Sequence, residues 1–451
     1  MMVKMDSKNR GMMTEGVIWK QLLIFTIPLL IGNLFQQLYN TVDSIVVGNY
    51  VGSQALAAVG ASNPIINLLV GFFMGLSTGA GVIVSQYYGA KNKQGLHDSI
   101  HTSIALAFCS GLILMVVGYL FSPWILSATG TPADVLDSSI IYLRIYFLGI
   151  IPVMLYNMCA GIQRAIGDSR RPLIYLFVSC GINIVLDLVF VIYFQMGVGG
   201  VAWATLIAQS ASCLLGLGHL ICAKADYRLK LSEVRFEKAV LKRVVKIGLP
   251  SGLQQSIISF SNLLVQSQIN SFGSFAMAGC SSYNKIDAFA NLPIQSFNLA
   301  ITTFVGQNMG AKKYERVKKG IRICMAFTVG VSFMLSLVIF TQADRLLSIF
   351  SSEAQVLYYG HYMMSILVPG YMFLAVSNIL CGALRGAGDA ITPMLILTFS
   401  YCVVRQVWIF FAMPYFQDIA VVFWGYTLTW ILAMVLCTVH YFKSGFMKEQ
   451  A

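Results

Sequence analysis

The order of apolar and polar residues divides the chain into twelve long apolar stretches, each interrupted by a few polar positions. About 20 apolar residues suffice for a helix to cross a bilayer. Such spans are predicted at 22–48, 55–90, 98–121, 136–163, 172–195 and 199–222, and again at 243–269, 276–310, 320–341, 354–384, 392–414 and 419–442. The first is the most informative. Within it Asn33, Gln36, Gln37, Asn40, Asp43 and Ser44 step by three or four, so they share one stripe of a helix. Pro28 lies upstream, where a missing amide donor makes a bend cheap, and is predicted as a hinge. A charge at bilayer depth costs about 2.5–3.5 kcal/mol on insertion scales, so Asp43 is expected to face a bundle interior or a water cavity.

Composition agrees with an all-α integral membrane fold. Hydrophobic residues make up 57% of the chain and charged residues only 11%, against about 25% charged in soluble domains. The net charge of +12 invites a nucleic-acid reading. Its distribution argues otherwise: with the amino terminus in the cytoplasm, 26 of the 30 Lys and Arg residues fall in segments on that side. This is the positive-inside bias. It predicts a multi-pass protein of the cytoplasmic membrane with both termini cytoplasmic, surrounded by lipid and with no nucleic-acid partner; a monomeric state is expected alongside. No small-residue cleavage site follows a short apolar core, so the first span is expected to direct insertion itself. Ten cysteines without a C-x-x-C pair read as buried thiols. The five histidines read as dispersed, without metal-ligand spacing. No nucleophile–base or metal pattern points to an enzyme, and no cofactor is expected beyond a coupling ion.

The chain repeats itself. NYVGSQALAAVGASN at 49–63 returns as NSFGSFAMAGCSSYN at 270–284, QYYGAK at 86–91 as QNMGAK at 307–312, and GIQRAIGDSRRP at 161–172 as GALRGAGDAITP at 382–393, always 221 residues later. Three matches at one offset indicate duplication. Six spans per repeat is an even number, so the repeats are predicted to be parallel, related by an axis along the membrane normal. This gives an N-lobe at 1–222, a charged cytoplasmic linker at 223–242 and a C-lobe at 243–451. The Arg and Asp of each R-x-x-G-D turn, Arg164 with Asp168 and Arg385 with Asp389, are expected to tie loop ends together.

The paired QxxGAK and R-x-x-G-D segments, the two sets of six spans and an Asp in the first span together resemble the multidrug and toxic compound extrusion (MATE) transporters of prokaryotes. The resemblance implies two six-helix lobes that alternate between facing in and facing out, with efflux driven by inward flow of H⁺ or Na⁺.

Polar residues gather in both repeats. Asn183 and Asp187 lie one turn apart in the fifth span, as do Thr205 and Gln209 in the sixth. With Asp43 they form an oxygen and amide set suited to Na⁺ or to a proton shared by two carboxylates. By resemblance, Asp43, Asn183, Asp187 and Thr205 match the cation-coupling positions of members that couple through the N-lobe, with Na⁺ at Asp43 and Asp187. The second repeat departs from the first: Val404 and Trp408 stand where Asn183 and Asp187 have their counterparts, and the seventh span carries Gln255 and Asn262 but no acid. Its charges are Lys285, Asp287 and Arg405. Either Asp287 forms an internal ion pair with Arg405 or Lys285, or this wall binds substrate. The candidate substrate contacts are Gln36, Asn40, Gln255, Asn262, Lys285, Asp287, Asn291 and Arg405, with Met154 and Met372 as adaptable apolar groups. Arg144 either snorkels or pairs with an aspartate. The expected function is a secondary active antiporter exporting small organic compounds in exchange for H⁺ or Na⁺. The alternatives are a lipid-linked saccharide flippase of related architecture and a gated channel.

Overall fold

The computed structural model describes residues 12–443, apart from the side chains of residues 40, 42–45, 49, 53 and 56. All long elements among them are helices. In the first repeat these are α1 (Ile18–Val46), α2 (Ser53–Gly89), α3 (Lys93–Ala128), α4 (Ala133–Leu148), α5 (Ile150–Ala165), α6 (Arg170–Leu188) and α7 (Gly197–Cys222). The second contains α8 (Lys238–Asn270), α9 (Ser274–Gly310), α10 (Tyr314–Thr341), α11 (Ala343–Ser348), α12 (Ala354–Leu367), α13 (Tyr371–Ala387), α14 (Ile391–Thr398), α15 (Arg405–Phe416) and α16 (Ala420–Lys443).

Nine helical segments among the described residues are long and apolar enough to cross a membrane, and α4 with α5, bent by 48°, makes a tenth. The seventh and eighth predicted spans are α8 and α9, of 33 and 37 residues. At about 1.5 Å per residue both exceed a bilayer core, but their polar stripes dilute the hydropathy. Helix α3 shows how a span divides its surface. Leu112, Ile113, Val116, Val117, Leu120 and Phe121 are exposed, whereas the opposite face buries small residues such as Ser103, Ala107, Ser110, Gly111 and Gly118. Apolar groups gain nothing by leaving lipid for one another, so helices associate through small residues that let backbones approach.

The repeat is visible in backbone detail. Helices α2 and α9 have equal lengths, begin after left-handed glycines (Gly52, φ 112°; Gly273, φ 95°) and end at left-handed lysines (Lys91, φ 54°; Lys312, φ 58°). The QxxGAK segment is therefore a helix stop: the Ala90 amide donates to Gln86 O and the Ala311 amide to Gln307 O, satisfying carbonyls that the helix leaves open. In the R-x-x-G-D turn, Asp168 Oδ1 accepts from the amides of Arg170 and Arg171, and Asp389 Oδ1 from that of Thr392. The aspartates thus cap the next helix. Arg385 is not held by Asp389 but donates to Asn298 Oδ1 at 2.9 Å.

By packing, the chain forms two compact units. One comprises Ile31–Gly252; the other takes Met13–Leu30 and resumes at Leu253. The boundary thus falls inside α1 and α8, two residues after Pro28 and after Pro250 in each case, and not in the linker between repeats. In the first unit, α8 crosses α2 through Gly75, Gly79, Gly248 and Gly252: a Cβ on Gly79 would lie 2.5 Å from Gly248 N, and one on Gly248 would lie 2.7 Å from Leu76 Cα. Arg243 of α8 donates to Gln86 Oε1 at 3.0 Å and to Tyr87 OH at 2.7 Å. In the second unit, Leu22, Phe25 and Leu29 of α1 enter the core with Phe304, Ile321 and Leu380. Gln307, the counterpart of Gln86, accepts from the Met13 amide at 2.7 Å, while Arg316 donates to the carbonyls of Met13, Glu15 and Gly16. The opening helix of each repeat is therefore anchored on the stop motif of the other repeat.

Candidate functional site

In the first unit, α6 and α7 bring three of the predicted cation-site residues together. Asn183 and Asp187 are each 1% exposed. In the amide orientation that satisfies both ends, Asn183 Nδ2 donates to Asp187 Oδ2 at 2.9 Å and its Oδ1 accepts from the Thr205 amide at 3.3 Å. Turned over, Nδ2 reaches Thr205 Oγ1 at 3.5 Å. The spacing of four between Asn183 and Asp187 puts both on one face of α6, and the helix then widens into a π segment at Val189–Tyr193. Such widened turns occur frequently at functional sites. An amide, a hydroxyl and a carboxylate in the interior of the unit form a hard oxygen set that fits H⁺ or Na⁺ and offers nothing to soft metals. The side chains of Asp43 and Asn40 lie outside the described residues. Gln36 is described and exposed.

The second unit resolves the question of its charges: each takes a different partner. Asp287 Oδ1 accepts from Tyr371 OH at 2.5 Å and from Tyr283 OH at 3.4 Å, and the two phenols lie 2.8 Å apart. Arg405 is 1% exposed. It donates to Asn262 Oδ1 and Thr429 Oγ1, both at 3.2 Å, and its guanidinium lies 4.2 Å from the Tyr426 ring centroid and 5.3 Å from that of Tyr401. A cation placed over aromatic faces is stabilised by the ring quadrupole, which offsets part of its desolvation. Lys285 is exposed, with Nζ 5.0 Å from the Phe350 centroid. The expected ion pair of Asp287 with Arg405 or Lys285 is replaced by a tyrosine cage and an aromatic clamp. Arg144 resolves similarly, with its guanidinium 5.1 Å from the Tyr119 ring.

Among the other candidates, Asn291 donates to Asp287 O at 3.0 Å, Gln255 is exposed, Met154 is buried and Met372 is half-buried. Pro28 is buried within an α1 that runs continuously from Ile18 to Val46. Sequence reasoning missed the tyrosines around Asp287. Tyr283 carries a usable signal, one turn before Asp287 on the same face, but Tyr371 lies 84 residues away.

Comparison with known proteins gives a consistent picture. The family model described as MatE matches residues 28–189 and again 250–411. The chain is 29% identical over 390 residues to "Probable multidrug resistance protein YoeA" of Bacillus subtilis, covering 85% of this chain and 84% of that protein. It is 25% identical to "Multidrug export protein MepA" of Staphylococcus aureus, with 85% of each covered. Among solved structures, a MOP superfamily transporter from Pyrococcus furiosus superposes with a TM-score of 0.91 at 21% identity, covering 99% of this chain and all of that one.

Proposed function

The chain belongs to the MatE family, whose members are transporters and not enzymes, and we propose that it is a secondary active antiporter of the cytoplasmic membrane that exports small organic compounds in exchange for H⁺ or Na⁺. One observation carries the coupling part: a carboxylate, an amide and a hydroxyl, Asp187, Asn183 and Thr205, converge in the interior of the first unit. The multidrug names of the relatives support the substrate class. Asp43 is proposed as the second carboxylate from its position on the polar stripe of the first span in the sequence and from the family resemblance.

In this reading the coupling ion is a second substrate. When H⁺ or Na⁺ reaches Asp187 and Asp43, it neutralises them and removes the penalty for packing the polar stripe of α1 against the bundle. Pro28 gives α1 a cheap place to bend as that happens, two residues before the helix passes from one unit to the other. Release of cargo follows from the change of shape, and loss of the ion on the cytoplasmic side resets it. In this reading both termini lie in the cytoplasm, as the distribution of Lys and Arg suggests, and the protein acts as a monomer. A single polypeptide carries both repeats, so no partner subunit is required.

A second feature bears on substrate choice. Arg405 is a buried cation held by rings and neutral oxygens, with no carboxylate among its hydrogen-bond partners in the described residues. This favours solutes carrying an anionic group, zwitterions included, over purely cationic drugs. It also keeps the lipid-linked saccharide flippase in view as the alternative. The deciding experiment uses purified protein in liposomes with H⁺ and Na⁺ gradients imposed separately, following a cationic dye and a zwitterionic fluorophore. Antiport predicts that one gradient drives movement of at least one of the two probes and that collapsing it stops transport; movement of both probes indifferent to both gradients refutes coupling.

A further inference from the structure

Helix α3 carries a histidine pair one turn apart, His97 and His101, against the expectation that the histidines lack ligand spacing. The linker between the repeats folds back onto this pair. The Lys230 amide donates to His101 Nε2 at 3.1 Å, the Glu237 amide donates to Thr102 Oγ1 at 3.1 Å, and Glu233 Oε2 lies 2.6 Å from His97 Nε2. One ligand atom from each of His97, His101 and Glu233 lies within 4.8 Å of the others.

The hydrogen bonds fix the tautomer of His101. Because a backbone amide donates to His101 Nε2, that nitrogen carries a lone pair and the ring proton sits on Nδ1, which donates to His97 O at 2.7 Å. This is the tautomer a metal-bound histidine adopts, with its second nitrogen held by a carbonyl. His97 has a carboxylate on each side, with Asp98 Oδ1 3.4 Å from Nδ1 and Glu233 Oε2 at Nε2. Such an arrangement calls for a positive charge between ring and acid. Lys230 Nζ, 2.8 Å from Glu233 Oε1, supplies part of it from outside.

We propose that His97, His101 and Glu233 form a site for a borderline divalent cation of the Zn²⁺ class, which fastens the linker to α3. Two imidazoles and a carboxylate match three-ligand zinc sites, in which Zn–N and Zn–O bonds of about 2.0–2.2 Å place ligand atoms some 3.3 Å apart in a tetrahedron completed by water. Binding replaces the His97–Glu233 hydrogen bond and displaces the Lys230 amide from His101 Nε2. Asp98 becomes the orienting partner of His97.

The test is titration of the full-length protein in detergent with ZnCl₂, followed by Co²⁺ as a spectroscopic probe. One equivalent is expected to bind, with tetrahedral Co²⁺ bands and no thiolate charge transfer. His97→Gln, His101→Gln and Glu233→Gln should each weaken binding at least ten-fold, and Asp98→Asn by about 10–100-fold. Zinc should also slow tryptic cleavage after Arg228 and Lys230 in the wild type and leave it unchanged in Glu233→Gln. Unaltered thermal unfolding of the metal-free variants shows that they fold. The absence of saturable binding, binding unaffected by these substitutions, or a cysteine-type Co²⁺ spectrum would each overturn the proposal.

Discussion

Gly75 and Gly252 meet at backbone contact: a Cβ on Gly75 would overlap the amide of Gly252. With Gly79 and Gly248 they form a crossing in which two small-x-x-x-small stripes pack face to face, one from each repeat, inside one compact unit. Such packing tolerates no added methyl, because the atoms in the way are main chain and cannot rotate aside. Overpacking costs about 1–3 kcal/mol even where side chains yield. Gly75→Val or Gly252→Val is therefore expected to lower the thermal unfolding temperature sharply. Gly60→Ala on the same helix α2, where nothing lies within 4 Å of the new Cβ, should leave it unchanged. Equal effects at the two sites would mean that the crossing is not a tight constraint.

The stop motifs lead to an unequal prediction. Gln307 is fully buried and accepts from the buried Met13 amide, whereas Gln86 meets the exposed guanidinium of Arg243. Removing a buried acceptor costs about 1–3 kcal/mol, because its donor loses water and partner together; an exposed contact is worth less than about 1 kcal/mol. Gln307→Ala should thus destabilise the protein clearly and Gln86→Ala barely, although the two residues occupy equivalent places in the repeat. Differential scanning calorimetry of the two variants side by side decides it.

What the sequence could convey depended on range. The spans, the duplication and the Asn183–Asp187 face were legible because each is set by neighbours within a turn or by a constant offset. The polar faces of α8 and α9 were legible too, through the same period that keeps those helices from passing as membrane spans by composition. The anchoring of Leu22 and Phe25 in the second unit was not: on a membrane helix an apolar side chain facing lipid and one facing protein look alike. Nor could spacing show that Tyr371 would reach Asp287, or that Glu233 would reach His97, 136 residues away. The charges in the second repeat suggested an ion pair because opposite signs attract, but burial favoured partners that share the cost of desolvation locally.

Neutralising the proposed coupling site should separate stability from transport. Asp187→Asn keeps the size of the side chain and a hydrogen bond to Asn183 while removing a charge that is costly to bury. The variant is expected to unfold at the same temperature as the wild type or higher, and its gradient-driven efflux should fall to the level of protein-free liposomes. Asp43→Asn should behave alike. Thr205→Ala removes one neutral ligand and should weaken dependence on the ion without abolishing it. Wild-type efflux in Asp187→Asn would remove Asp187 from the coupling mechanism.

The tyrosine cage of Asp287 makes a measurable pair. Tyr371→Phe and Asp287→Ala each delete one side of a 2.5 Å contact, and residues in one hydrogen-bond network show coupling energies of about 0.5–3 kcal/mol in double-mutant cycles. The double variant should be more stable than the two single losses predict, since it leaves no half-satisfied acid behind. Strict additivity in thermal or denaturant unfolding would show that the contact carries no energy.

Arg405 allows stability and substrate binding to be told apart. Held between Tyr426 and Tyr401 and bonded to Asn262 and Thr429, its planar fork matches four partners that a lysine cannot meet together. Arg405→Lys should cost stability, with about 2 kcal/mol at stake in the ring contacts alone. Arg405→Met loses those contacts but also the burden of a buried charge, so its net destabilisation should be smaller. A purely structural arginine would then transport in proportion to folded protein in both variants, whatever the solute. An arginine that recognises substrate predicts another pattern: in Arg405→Met, transport of zwitterionic or anionic solutes collapses while a cationic dye moves at the wild-type rate per folded molecule. Parallel loss for both classes of solute would assign Arg405 to the scaffold.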